Sequence, residues 1–250
     1  MYRNSPDEHK LNLYSFLDYA CVIIRRILYL GGHVVELSLY IFLCFELLGT
    51  VAFALSGAMV AIEKKADIFG VLVLGIITAT GGGMLRDVLL GNLPPRLFSN
   101  GLYVAVAAVT ALLLFHLARH YRSSYIRKAK MVDQINNFFD ALGLGAFTIT
   151  GIQIGLSSGF AQSYFFLVFL GVLTGVGGGL IRDLMVMEIP FVLRKRVYAI
   201  AAILGGLVYV FVQSMFPAGE LIASLLSIST TVTIRLLATY FRWHLPRALP

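Results

Sequence analysis

Thr80-Gly81-Gly82-Gly83-Met84-Leu85-Arg86-Asp87 decides how this chain reads, because the stretch returns as Val176-Gly177-Gly178-Gly179-Leu180-Ile181-Arg182-Asp183. Each copy lies late in a long apolar segment, and each is soon followed by proline: Pro94 and Pro95, then Pro190. A glycine in a helix interior is less favourable than alanine by ~1 kcal/mol. An ionised arginine or aspartate at membrane depth costs roughly 2.5–3.5 kcal/mol on insertion scales. A chain that accepts both penalties twice, at matching positions, does more than fill a core. The duplicated motif is the functional hypothesis.

The 250 residues are 58% hydrophobic and 13% charged, with a mean hydropathy of +0.84. Soluble domains carry about 25% charged residues, so this chain lacks the polar surface to cover a water-exposed globule. It reads as an all-α integral membrane protein, one domain made of two halves. The net charge of +7 does not point to nucleic acid. The basic residues sit in short loops between apolar spans and form no stripe with interleaved aromatics. Cys21 and Cys44 build no disulfide framework and have no metal-ligand spacing. The histidines (His9, His33, His116, His120 and His244) do not cluster. His116 and His120 stand one helical turn apart where a span meets a basic loop, which reads as interfacial anchoring rather than a metal site. No cofactor and no metal beyond a permeant ion is expected, and no enzyme chemistry is visible.

An apolar helix needs about 20 residues to cross a ~30 Å hydrocarbon core. Spans are predicted at 40–62, 68–91, 99–118, 134–157, 164–187, 198–216 and 219–240. Residues 1–39, with Asp18, Arg25 and Arg26 interrupting an apolar stretch, read as an extension lying on the membrane surface. The loops set the orientation. Lys64, Lys65, Arg119, Arg122, Arg127, Lys128, Lys130, Arg194, Lys195, Arg196, Arg242 and Arg247 fall in alternate loops on one side, against Arg96 alone on the other. Basic loops stay in the cytoplasm, so span one starts outside and the C-terminus is cytoplasmic, in a cell inner membrane.

Laid on one another, spans one and four align Glu46-Leu47-Leu48-Gly49 with Asp140-Ala141-Leu142-Gly143 and Phe53-Ala54-Leu55-Ser56-Gly57 with Phe147-Thr148-Ile149-Thr150-Gly151. The repeat covers three spans per half, 40–132 and 133–217, and leaves 218–250 as a seventh span and tail. Three is odd, so the second half enters from the opposite side, as in inverted-repeat transport proteins.

The glycines Gly81, Gly82, Gly83, Gly177, Gly178 and Gly179 are expected to kink the helices beside a pore, with close helix packing as the alternative. Ion pairs Glu46–Arg86 and Asp140–Arg182 are expected, because unpaired charges at that depth are expensive. Asp87 and Asp183, one residue nearer the interface, are expected to cap loop amides or meet water. Ser56 and Thr150 line a pathway or bond back to their own helix. An intramembrane aspartyl protease, which needs two carboxylates sharing a proton, is excluded because the inverted repeat puts Asp87 and Asp183 near opposite faces. The glycine runs lack the strand and spacing of a dinucleotide site.

The paired Gly-Gly-Gly-x-x-Arg-Asp motifs, the runs at 53–57 and 147–151, and the order three plus three plus one resemble the TRIC family, the trimeric intracellular cation channels and their prokaryotic relatives. The resemblance covers about residues 42 to 240. It implies a homotrimer in the lipid bilayer, each subunit with its own pore between spans one, two, four and five, permeable to monovalent cations and chiefly potassium. The usual aspartate of span one is Glu46 here, and the second motif exits through Leu184-Met185-Val186-Met187-Glu188 where the first has Val88-Leu89-Leu90-Gly91-Asn92. The prokaryotic branch is also labelled a glycine transporter family, so the alternative is a carrier of glycine or another small neutral solute.

Overall fold

The computed structural model describes residues 34–194, 197–216, 219–241 and 243. The surface extension expected at the N-terminus lies outside them over residues 1–33, as does most of the C-terminal tail. The compact unit that begins at Ser38 is described below.

Its elements are α1 (Val34–Glu63), α2 (Ile68–Leu89), α3 (Arg96–Ser99), α4 (Leu102–His120), α5 (Arg122–Arg127), α6 (Ala129–Ser157), α7 (Tyr164–Met185), α8 (Phe191–Arg194), α9 (Tyr198–Met215) and α10 (Glu220–Tyr240). Seven of them, α1, α2, α4, α6, α7, α9 and α10, are long and apolar enough to cross a membrane, so the chain is a multi-pass membrane protein. The predicted spans fall on these helices. The first helix starts earlier than expected, at Val34 rather than 40.

The halves repeat in detail. Asp67 caps the start of α2 by accepting from Gly70 N at 2.7 Å, and Ser163 caps the start of α7 by accepting from Phe166 N at 3.4 Å. Each satisfies an amide that a helix start leaves without a partner. The exits from the motif differ in sequence but match in backbone. Asn92 N bonds Asp87 O at 2.9 Å and Glu188 N bonds Asp183 O at 3.0 Å. The left-handed residue this turn requires is Gly91 in the first half (φ 73) and Met187 in the second (φ 56). The backbone bonds, rather than the side chain at that position, impose the turn.

Side-chain packing is reciprocal. Phe53 of α1 lies against Gly143 of α6, and Phe147 of α6 lies against Gly49 of α1. The two rings meet at 5.2 Å between centroids. Where α2 crosses α7, Gly82 abuts the carbonyl of Thr174 and Gly178 abuts the carbonyl of Thr78. Contacts in which i meets j and the counterpart of j meets the counterpart of i are the mark of a twofold relation. Ala54, Ala79, Leu144 and Val176 pack around this centre. The seventh span, α10, has no counterpart in the first half; its Ala223 and Ile228 join the core cluster of Ile149, Ile152 and Tyr209.

Candidate functional site

The helix is unbroken through both glycine triplets: α2 runs from Ile68 to Leu89 and α7 from Tyr164 to Met185. The triplets also pack closely against the facing helix. With no Cβ at Gly82 or Gly178, two backbones touch, since a Cβ at Gly177 would stand 3.0 Å from the Gly82 Cα. Thr78 and Thr174, at the same crossing, each bond the carbonyl one turn back (Leu74 O at 2.6 Å, Leu170 O at 2.7 Å) and so hide their polar atoms from the apolar surround.

One turn beyond each triplet lies a buried charge cluster. In the second half Arg182 is fully buried, and its Nη1 donates to Asp140 Oδ1 at 2.8 Å and to Ser56 Oγ at 2.7 Å. Its Nε donates to Asp183 Oδ1 at 2.8 Å. The expected Asp140–Arg182 pair is present. A second guanidinium reaches the same carboxylate: Arg235 Nη2 of α10 donates to Asp140 Oδ2 at 3.0 Å and to Asn137 Oδ1 at 3.2 Å, with its charge 4.4 Å from the Tyr198 ring centre. Arg235 was not singled out from sequence. An arginine inside the seventh apolar span, toward its C-terminal end, was the available signal, because such a charge demands a buried partner.

The first half is built differently. Arg86 turns both Nε and Nη2 onto Asp87 Oδ1, at 2.8 Å each. The expected Glu46–Arg86 pair is not formed: Glu46, 7% exposed, takes a hydrogen bond from the Tyr103 hydroxyl instead. The arginine is already satisfied by its chain neighbour, and α4 offers the carboxylate a nearer donor. Tyr103→Phe should cost about 1–3 kcal/mol by stranding that carboxylate, read as a lower thermal midpoint in detergent. A change within error would mean that Glu46 is not held by this bond.

The remaining predicted residues are placed as follows. Asp87 Oδ2 accepts from Arg96 N at 2.9 Å and Asp183 Oδ2 from Phe191 N at 2.7 Å, so each aspartate fastens the turn after its helix. Thr150 bonds back to Phe147 O at 3.2 Å. Ser56 does not bond back to its own helix. It donates to Asn136 Oδ1 at 2.7 Å while accepting from Arg182, and so links the first half to the second. Asn136 and Asn137 gave no sequence signal beyond polarity within a span, whereas Tyr103 matches Tyr198 in the repeat after a one-residue shift.

Two cavities flank the bundle, and the smaller one reaches the crossing at Ala79, Thr80 and Gly83. A crevice of about 40 Å³ is lined by Glu46, Thr50, Thr80, Arg86, Arg96 and Tyr103, among others. A larger one of about 640 Å³ lies where α1 and α4 end and α6 begins, and it reaches Asn136. The loops predicted to share the basic side also meet: Lys64, after α1, pairs with Glu188, after α7, at 2.5 Å. Among the described residues no group of His, Cys, Asp and Glu could hold a metal.

Comparison with known proteins agrees with this architecture. The model of the family described as glycine transporter matches residues 43–119 and 137–214. The UPF0126 inner membrane protein YadS of Escherichia coli (strain K12) is 38% identical over 200 residues, covering 80% of this chain and 91% of the relative. The UPF0126 membrane protein YvgT of Bacillus subtilis (strain 168) is 36% identical over 205 residues, covering 80% and 93%. The crystal structure of a prokaryotic TRIC channel in 0.5 M KCl superposes with a TM-score of 0.73 at 29% identity, over 82% of this chain and 99% of that one. A structure described as the basis for conductance through TRIC cation channels gives a TM-score of 0.68 at 35% identity, over 83% and 97%. The family model and the relatives agree, and the chain belongs to the TRIC family, whose sequence model is described as glycine transporter.

Proposed function

We propose that the chain is a cation channel, passing potassium and other monovalent cations through a pore within each subunit of a homotrimer. It sits in the inner membrane with its C-terminus in the cytoplasm, its halves (40–132 and 133–217) related by an axis in the membrane plane. One observation carries the reading: the two glycine triplets meet at a reciprocal crossing, with a polar crevice approaching it and a buried charge cluster beyond each triplet. The pathway runs between α1, α2, α6 and α7, from the Glu46 crevice past Ser56. In this conformation it is closed where Phe53 meets Phe147 and Gly82 meets Thr174. Opening bends or slides α2 against α7 at Gly81–Gly83 and Gly177–Gly179, where Ile181 and Leu85 lie against the bare glycine backbone of the facing helix. Arg86 and Arg182 are each tied to a neighbouring aspartate, so they shape the path, and Glu46 supplies the negative charge that draws a cation. The solved relatives named as cation channels support this reading.

A second reading, a carrier of glycine or a similar small solute, is favoured by one feature. The crevice of about 40 Å³ presents the Glu46 carboxylate together with Arg86 and Arg96, opposite charges that suit a zwitterion. Potassium flux from liposomes holding the purified protein, with labelled glycine uptake alongside, separates the two. The channel reading expects fast, non-saturating potassium flux without glycine uptake. Saturable glycine uptake without ion conduction overturns it.

A further inference from the structure

The cavity that reaches Asn136 belongs to neither charge cluster. Its volume of about 640 Å³ falls within the ~300–1,000 Å³ range of sites that hold small molecules. Its floor is apolar: Met59, Ile62, Phe115, Ala118 and Val132, from the ends of spans that lie in hydrocarbon. Its mouth carries cations, Lys65, Arg119 and Arg122, beside two carboxylates, Glu63 and Asp133. None of these five forms an ion pair with another described residue. The Tyr125 hydroxyl also lines this cavity, and its oxygen is buried without a hydrogen-bond partner. Orphaned buried polar atoms are uncommon in native proteins, and one facing a cavity asks for a partner that enters it. Burial and the nearby charges of Glu63 and Asp133 hold the Tyr125 pKa above its ordinary value, so the hydroxyl stays protonated and available to donate.

We propose that this cavity binds the headgroup and upper acyl chain of a phospholipid bearing a primary ammonium, a phosphatidylethanolamine. Its phosphate is held by Arg119, Arg122 and the Tyr125 hydroxyl, and its ammonium by Glu63 and Asp133. An anionic lipid would answer the cations and leave the carboxylates facing its own charge. A choline headgroup carries positive charge but no N–H to donate. An apolar floor continuous with the spans and a charged rim at their ends match an amphiphile at the membrane boundary rather than a water-soluble solute. The cavity also reaches Asn136, whose side chain takes the Ser56 hydrogen bond. Occupancy therefore bears on the Asn136–Ser56–Arg182 chain that joins the two halves.

The binding test does not depend on what the protein transports. Full-length protein, delipidated in detergent, is titrated with phosphatidylethanolamine, phosphatidylcholine and phosphatidylglycerol of identical acyl chains, and with free O-phosphoethanolamine. Bound lipid is read by native mass spectrometry and by the thermal midpoint. Phosphatidylethanolamine should be retained about tenfold more tightly than either other lipid, the scale set by losing one charge-assisted contact. The double substitution Glu63→Gln with Asp133→Asn should abolish its advantage over phosphatidylcholine while leaving the lipid-free midpoint unchanged. Arg119→Ala with Arg122→Ala should weaken all phosphate-bearing lipids. Equal or tighter binding of phosphatidylglycerol or phosphatidylcholine overturns the assignment, as does a preference that survives the carboxylate substitutions. Comparable stabilisation by O-phosphoethanolamine alone would replace the lipid with a soluble solute. If the double variant does not fold, Tyr125→Phe, which deletes one oxygen, must still lower the retention of phosphatidylethanolamine.

Discussion

Asp140→Asn is expected to destabilise the protein by about 3–5 kcal/mol, the cost of breaking a buried ion pair by removing one partner. The side-chain shape is kept; only the charge and one acceptor are lost. Two guanidiniums rest on this carboxylate, Arg182 on Oδ1 and Arg235 on Oδ2. Arg182 keeps Asp183 as a partner. Arg235 keeps the Asn137 amide oxygen and the Tyr198 ring, neither of which carries a negative charge. The loss therefore falls on Arg235, and Asp140→Asn combined with Arg235→Met should recover much of it, because the uncompensated charge leaves along with its partner. Glu46→Gln, at the equivalent place in the first half, should cost well under half as much, since no arginine is bonded to Glu46 and Arg86 retains Asp87. Thermal or chemical denaturation in detergent reads all three variants. Equal costs for Asp140→Asn and Glu46→Gln would show that the extra arginine from the seventh span adds no demand of its own.

This asymmetry explains what the sequence could and could not disclose. Span positions were legible because twenty-residue apolar runs have no other stable fate. The pairing of halves was legible because the motif residues recur in order. The aspartates that fasten the turns after α2 and α7 were legible in part from their place one residue nearer the interface, where a carboxylate can take a loop amide or meet water; here each takes an amide. The partner of Glu46 was not legible. Exact repetition predicts Arg86, by analogy with Arg182 on Asp140, but Tyr103 of α4 stands nearer, and its ability to outcompete an arginine depends on side-chain reach rather than residue order. Nor did symmetry place Arg235, which comes from the one span without a counterpart. Adjacent glycines signal either a bend or a close approach, and residue order alone does not show the partner backbone that an approach requires. Here the partner of each triplet is the other.

That mutual approach gives the second large effect, and it divides the triplet residue by residue. Gly82→Ala and Gly178→Ala should each destabilise the protein, by about 1–3 kcal/mol or more for overpacking, despite the ~1 kcal/mol that alanine gains over glycine within a helix. The added methyl would meet a carbonyl oxygen, Thr174 in one case and Thr78 in the other. No rotamer change moves a carbonyl, so α2 and α7 must separate. Gly83→Ala is the internal control. Its methyl would find Arg86 Nη2 at 3.5 Å and Cζ at 4.0 Å, ordinary contact, so the helix-propensity gain should stand and the thermal midpoint should hold or rise. Potassium flux measured on the same variants then separates packing from bending. If Gly83→Ala is stable yet conducts poorly, α2 bends at the triplet during opening, and the freedom of glycine is needed there. If it conducts normally while Gly82→Ala and Gly178→Ala fail to assemble, the glycines serve close approach alone, and opening must come from α2 sliding along α7. Equal destabilisation by Gly82→Ala and Gly83→Ala would contradict the crossing itself, since only one of the two faces a backbone.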